Sequence, residues 1–378
     1  MIAGEQSIDR CTHSLHSQRH ARQSAAQIAF QGYFDVTILL SSRRAIADTP
    51  LQLPVFGFGT AHLGELYGKV DEEDARATLD AAWKLGIRYY DTAPWYGRGL
   101  CDHRVGGFLR TKPRSEFYLT TKLGRTLHRP KNPSTFDRSP WVGGLNFDVE
   151  FDYSYDGFMR SYEQALQRMG IDTVDALLVH DLDESIHGEG YKGHLADLIE
   201  SGMKALQELK ASGDIKAIGM GINTGHALAQ IAPSVDLDFV LVAMAYTLLD
   251  QASLHSGMAG CAARGVSVVI GAPFASGILA TGPGGNAKYD YAVASPEVQT
   301  KVRALQAACR EHGVGLPAAA LQFPLAHPSV VSIIPGAARP SEITQNVAAL
   351  SAAIPESFWA ALKSQGLIDP AAPTPRSC

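Results

Sequence analysis

Four polar side chains stand where apolar runs end, and their types suit one kind of reaction. Asp91 closes IRYYD, Tyr96 follows in the turn TAPWYG, Lys122 closes EFYLTTK, and His180 closes DTVDALLVH. A free tyrosine has a pKa of about 10, so it is a weak base near neutrality. A lysine ammonium beside it stabilises the phenolate, and an aspartate holds that lysine charged and in place. A histidine within hydrogen-bond reach orients a substrate oxygen or passes on its proton. This is the equipment for proton transfer coupled to hydride transfer. Taken singly, each residue has a plainer role: Asp91 caps a helix, Tyr96 packs, Lys122 reaches solvent, and VHD is an ordinary strand exit. Their joint placement on successive strand ends points to a site.

Other chemistries fit less well. His180 and Asp181 are adjacent, but no third ligand follows at a zinc-like spacing, so no metal is expected. Asp181, Asp183 and Glu184 crowd after one strand and do not flank a substrate as a hydrolytic acid pair would.

The elements that must position these residues follow a regular rhythm from Leu53 onward. LPVFGFG, IRYYD, EFYLTTK, DTVDALLVH, DIKAIGMGIN, LDFVLVAMAY, VSVVIG and SVVSIIPG read as eight apolar strands. Helical stretches alternate with them, among them VDEEDARATLDAAWKLG (stopped by Gly86), HRVGGFLR, YDGFMRSYEQALQRMG, MKALQELKASG, TGHALAQIAP and PEVQTKVRALQAACREHG. Apolar strands alternating with helices predict a parallel sheet buried on both faces. Eight such units predict a closed (β/α)8 TIM barrel, in which side chains at the C-terminal strand ends converge. An open doubly wound sheet is the rival. FGFGTAHLG lacks the G-x-G-x-x-G spacing of a dinucleotide-binding crossover.

Two further stretches bear on binding. IIPGAARPSEITQN places Gly336 after an apolar strand, with Arg339, Ser341, Gln345 and Asn346 opening or following a helix. Free amides at a helix start favour phosphate. The plainer reading is a helix capped by Ser341 with Arg339 in solvent. Asn223 ends the fifth strand, where it holds an amide or bridges a turn. The long segment after Lys122, LGRTLHRPKNPSTFDRSPWVGGLNFDVEFDYS, exceeds an ordinary connection and is expected to lie over the site. Trp141, Phe147 and Tyr153 would wall a pocket there, and Asn146 and Asp148 would bind hydroxyls.

Composition sets the frame. With 378 residues, 46% of them hydrophobic, the chain can bury a sizeable core. A formal charge of -5 with mixed signs gives no nucleic-acid surface. Five scattered cysteines without C-x-x-C spacing read as free thiols. No run approaches the ~20 apolar residues that cross a bilayer, so a cytoplasmic chain with no membrane partner is expected. Residues 1–40 read as an extension outside the barrel, with a mitochondrial presequence or an upstream start as alternatives. Residues 41–369 form the barrel and 370–378 a tail. Nothing separates a monomer from a homo-oligomer.

From about Arg43 to Asp369 the chain resembles the aldo-keto reductases. GFGTAHLG, which contains Thr60, resembles the opening strand and loop; YYDTAPWYG, TTKLG and LLVHD carry the four catalytic positions. The resemblance implies Tyr96 as general acid/base, Lys122 with Asp91 as the pair lowering its pKa, and His180 positioning the substrate. It implies a nicotinamide cofactor held by Thr60, Asp91, Asn223, Phe274, Gly336, Arg339, Ser341, Gln345 and Asn346. Two departures concern the nicotinamide pocket: Ala243 replaces a frequent glutamine, with Tyr246 three residues on, and Gly271 or Phe274 replaces a frequent aromatic. Ala338 stands where many relatives have arginine, favouring NAD over NADP. LYG, LLVHDLDE, AYTLLDQ and APFASGILA resemble members that oxidise aldoses such as L-fucose at C1, giving an aldonolactone. The small-molecule substrate is then a sugar. Pyridoxal oxidation and broad NADPH-dependent aldehyde reduction are the alternatives, and an auxiliary barrel with little turnover is the non-enzyme rival.

Overall fold

The computed structural model describes residues 40–376, apart from 226, 228, 230–233 and 285. The expected extension therefore lies outside the described residues except for Leu40, and so does most of the helix expected over TGHALAQIAP. Leu40 and Ala372, near either end of the described chain, are both buried.

A short antiparallel hairpin comes first, β1 (Arg43–Ala45) with β2 (Gln52–Pro54). Next come β3 (Phe58–Gly59), β4 (Tyr89–Asp91), β5 (Tyr118–Leu123), β6 (Arg125–His128), β7 (Asp148–Phe151), β8 (Ala176–His180), β9 (Ala217–Ile222), β10 (Phe239–Ala243), β11 (Ser267–Gly271), β12 (Lys288–Tyr289), β13 (Ala292–Val293) and β14 (Val330–Ile334). Eight of these form one parallel sheet in the order β14-β11-β10-β9-β8-β5-β4-β3. Parallel bridges Phe56↔Ile333 and Gly59↔Gly336 join its two edges, so the sheet closes as the (β/α)8 barrel expected.

Strand alternation sorts the side chains into two layers. Leu178, Phe239, Leu241 and Val269 pack inside the barrel with Ile46, Leu51 and Leu53 from the β1–β2 hairpin. Their strand neighbours Leu177, Val179, Val240, Val242, Val268 and Ile270 face the surrounding helices. The hairpin covers the N-terminal end of the barrel: Arg44 donates to the Leu325 and Val330 carbonyls, and the Ala47 amide donates to Ser267 Oγ. The same alternation carries Asp91, Lys122 and His180 inward, one layer above Tyr89, Thr120 and Leu178. Register staggers them up the C-terminal rim: Asp91 pairs with Thr120, two residues before Lys122, and Lys122 pairs with Leu178, two residues before His180.

Local chemistry sets the helices. Asp71 caps Glu72–Lys84 by accepting from the Asp74 amide at 2.9 Å. Gly86, at φ +91°, supplies the left-handed exit that sequence reading assigned to it. Ser154 caps Tyr155–Met169, and Ser295 with Pro296 opens Pro296–Glu311. The segment after Lys122 is more ordered than a loop. Its ends pair as the antiparallel hairpin β6–β7, from Arg125↔Phe151 to His128↔Asp148. A further hairpin, β12–β13, was not expected from sequence, nor was helix Glu356–Ser364. Among the described residues no helix is long and apolar enough to cross a membrane.

Candidate active site

Asp91 and Lys122 form the floor of the site. Lys122 Nζ donates to Asp91 Oδ2 at 2.5 Å and to the Thr92 carbonyl at 3.0 Å. Thr120 donates to Asp91 Oδ1 at 2.8 Å. The pair is dry, with side chains 1% and 2% exposed. Burial pushes the Asp91 carboxyl up, and the Lys122 charge opposes the rise. Thr60, expected to hold cofactor, is buried and braces this floor: its hydroxyl donates to the Asp91 carbonyl at 2.7 Å and lies 3.0 Å from Cys101 Sγ.

Tyr96 sits directly over this pair. Lys122 Nζ lies 4.7 Å from the centre of its ring, and the His180 ring meets it edge-on at 6.1 Å. The turn that presents it runs through left-handed Gly97, Arg98 and Gly99. A Cβ on Gly64 would fall 2.5 Å from the Gly97 amide nitrogen, so glycine lets the loop after β3 press against this turn. Arg98 donates to the Phe147 carbonyl at 3.0 Å, and the Leu145 amide donates to the Gly97 carbonyl at 2.8 Å, pinning the long segment beside Tyr96.

The charges around Tyr96 depart from the balance expected from sequence. Burial pushes its phenol well above the ordinary tyrosine range, Asp91 and Asp181 push it further, and Arg125 opposes them. Desolvation thus outweighs the cations, and the resting tyrosine is a protonated phenol. His180 is held well below its usual range by burial, then by Arg125 and Lys122, so its imidazole is neutral near pH 7.

The long segment contributes differently from expectation. Trp141 is buried and walls the site, 5.9 Å from Tyr96 and 5.7 Å from Trp95, ring centre to ring centre. Tyr153 is buried beneath the rim, donating to the His180 carbonyl at 2.7 Å and lying 2.9 Å from His187 Nε2. Asn146 is exposed and donates to the Pro133 carbonyl, while Phe147 and Asp148 are exposed as well. Pairing of β7 with β6 fixes which way this stretch faces.

Sequence reading missed two participants, Arg125 and Tyr291, and left Asp181 as a strand exit. Arg125 NH2 donates to Asp181 Oδ2 at 2.9 Å, and Asn223 Nδ2 donates to Asp181 Oδ1 at 3.1 Å. Asp181 Oδ2 also lies 3.4 Å from His180 Nε2. Asp181 adopts φ +49°, a left-handed backbone that aspartate tolerates better than most residues. Tyr291, at the tip of the β12–β13 hairpin, brings its hydroxyl within 3.5 Å of Asn223 Oδ1. The signals present in sequence were an arginine three residues after Lys122 and an aspartate directly after His180.

The Aldo/keto reductase family profile matches residues 55–366. The chain belongs to the aldo/keto reductase family. It is 42% identical over 340 residues to a pyridoxal 4-dehydrogenase of Microbacterium luteolum, covering 87% of this chain and 98% of that one. It is 38% identical over 347 residues to a D-threo-aldose 1-dehydrogenase of Pseudomonas sp, covering 89% and 99%. The holo form of an aldo-keto reductase from Bacillus halodurans shares the fold, with a TM-score of 0.67 at 23% identity over 88% of this chain and 97% of that one.

Aldo/keto reductases use a nicotinamide cofactor, and the residues of this one fit such a group. A cavity of about 450 Å³ opens beside Asn223 and Thr224 and extends past Met244 to Tyr289 and Asp290. Asp181 fixes the amide of Asn223 and leaves its oxygen in only the long contact with Tyr291, so a carboxamide donor can be received there. His62 Nδ1 is buried without a partner next to Gly336, where a Cβ would fall 2.3 Å from it. Arg339, Ser341 and Gln345 are exposed at the start of helix Pro340–Leu350, and Asn346 is buried with its amide 3.5 Å from the Gly336 carbonyl. Phe274 packs in the outer core. Ser341 does not cap this helix, whose N-cap is Arg339; Glu342 reaches back past the cap, its Oε2 accepting from the Ala338 amide at 2.7 Å.

Proposed function

We propose that this aldo/keto reductase is an NAD-dependent dehydrogenase that oxidises a cyclic hemiacetal to a lactone. The observation that carries the reading is the dry Asp91–Lys122 pair beneath Tyr96, with neutral His180 at its edge. Both relatives are named dehydrogenases of compounds that close into internal hemiacetals, pyridoxal and aldoses. In that form the carbon to be oxidised already carries the hydroxyl it needs. A bound nicotinamide supplies the acceptor for the hydrogen and electron pair that leave this carbon. Tyr96, in its phenolate form, takes the hydroxyl proton, His180 orients the oxygen, and the new C=O bond completes the lactone with the ring C–O bond intact.

The substrate panel that tests this uses purified protein with NAD or NADP, following absorbance of the reduced cofactor. L-fucose, D-arabinose, L-galactose, L-xylose and pyridoxal are supplied in turn. NAD reduction by at least one of them is expected. If NAD stays oxidised with all five while simple aldehydes consume NADPH, the protein is a broad aldehyde reductase and the hemiacetal reading fails.

Preference for NAD rests on Glu342. Its carboxylate accepts from the Ala338 amide, at the position where many family members carry arginine, and a negative charge beside that position supports a ribose diol over a 2′-phosphate. A ribose diol, which donates hydrogen bonds, suits that carboxylate. NADH is expected to bind more tightly than NADPH in a fluorescence titration at low ionic strength. Glu342→Gln keeps an acceptor for the Ala338 amide and removes the charge, and should narrow the difference by about fivefold. An unchanged ratio would remove Glu342 from cofactor selection.

A further inference from the structure

The polar groups left over around Tyr96 are donors. Arg125 has a side chain only 4% exposed, and its NH2 alone is engaged, on Asp181. Its Nε and NH1 are buried without partners. The indole N–H of Trp141, on the ring that packs against Tyr96, is likewise buried and unpartnered. The acceptors, in contrast, are committed. Asp181 gives one oxygen to Arg125 and the other to Asn223. Asp183 accepts from the Ser185 amide at 2.8 Å and from Thr224 Oγ1 at 2.8 Å, and Asp91 is filled by Lys122 and Thr120. Three groups are exceptions: Gly143 covers Glu65 Oε2 so closely that a Cβ there would fall 1.8 Å away, Asn223 Oδ1 is left for a carboxamide, and the unpartnered His180 Nδ1 belongs to the imidazole that orients the reacting oxygen.

This inventory separates substrates. A buried donor without an acceptor costs about 1–3 kcal/mol, and more when it is charged. Several such donors around one catalytic group therefore point to a ligand that completes them. A neutral polyol offers an O–H donor with every acceptor and needs free carboxylate or amide oxygens in return. An ionised phenolic oxygen only accepts, carries charge, and sits on a flat ring. The walls suit that ring: Trp95 and Trp141 flank the site, and the Arg125 guanidinium carbon lies 5.3 Å from the Trp95 ring and 4.8 Å from the Phe151 ring.

We propose that Arg125, assisted by the Trp141 indole, determines specificity by receiving an ionised oxygen that an aromatic substrate carries next to the carbon being oxidised. The substrate class is then an aromatic hydroxy-aldehyde in its cyclic hemiacetal form, of which pyridoxal is one, rather than a neutral aldose. This rests on the hemiacetal oxidation proposed above. The Arg125 charge also acts on both Tyr96 and His180, which places its field at the reacting oxygen.

The test compares two non-reacting ligands, pyridoxine and 3-deoxypyridoxine, by calorimetry on the full chain saturated with NADH. Pyridoxine is expected to bind about 10- to 100-fold more tightly, because only it carries the oxygen that Arg125 receives. The gap should close in Arg125→Met and reopen in part in Arg125→Lys. The ligand comparison itself needs no variant, so it stands even where Arg125→Met fails to fold. Equal affinity for the two ligands in the unaltered protein overturns the assignment, as does a kcat/KM for L-fucose above that for pyridoxal. Oxidation of sugars without oxidation of pyridoxal would leave the hemiacetal reading intact and remove Arg125 from it. Failure of NAD reduction with every compound would remove both.

Discussion

Tyr96→Phe is expected to lower turnover by about 10²–10⁴-fold while NADH binds nearly as before. Phenylalanine keeps the ring that Lys122, His180 and Trp141 pack against, so only the hydroxyl is lost. Steady-state kinetics beside an NADH titration check both halves of the expectation. Full activity in this variant would remove Tyr96 from the chemistry.

The raised phenol adds a pH signature to the same assignment. Because burial holds Tyr96 protonated well beyond neutrality, the free enzyme is a ready proton donor and a scarce base. Reduction should therefore show a flat kcat/KM between pH 7 and 9. Oxidation needs the phenolate, whose fraction rises about tenfold per pH unit below the pKa, and its kcat/KM should rise with it. The two slopes agree with the overall reaction, which releases one proton on oxidation. A flat oxidation profile across that range would assign the proton to another group.

The barrel was legible because its strands are nearly continuous apolar runs, and a parallel sheet covered on both faces demands that pattern. Once strands are placed, inward alternation and the same two-residue stagger between neighbouring strands bring Asp91, Lys122 and His180 together at the C-terminal ends. Arg125 and Asp181 escaped the same logic because each lies just past a strand end in polar sequence. Their ion pair joins residues 56 apart, and neither stretch alone announces it. Tyr291 is harder still, since a separate two-strand hairpin delivers it to Asn223. The segment after Lys122 hid a hairpin because β6 and β7 are short, polar in part and separated by a proline- and glycine-rich stretch. Glu342 did carry a local signal, a glutamate at the third helical position of RPSE, which fits a capping side chain as well as an open anion site.

The Asp91–Lys122 pair is where activity and stability are joined most tightly, and Lys122→Met separates them. Removing the lysine leaves a carboxylate in a dry site with Thr120 as its remaining side-chain donor. Breaking a buried pair in this way costs about 3–5 kcal/mol, because the surviving charge is uncompensated. A fall in Tm of roughly 5–10 °C is expected for a barrel of this size. Asp91 is already pushed up by burial in the intact protein, and without Lys122 the main opposition to that rise is gone. A carboxyl with a folded pKa above its unfolded value favours the folded state at low pH and loses that contribution as pH rises through the folded value. The deficit of Lys122→Met should therefore be smaller at pH 5 than at pH 8, since a protonated Asp91 needs no counter-charge. Asp91→Asn combined with Lys122→Met removes both charges and should recover most of the lost Tm. It should not recover turnover, because the cation over the Tyr96 ring is still missing. A double variant as unstable as the single one would show that the stability loss comes from packing of the lysine stem rather than from the stranded charge.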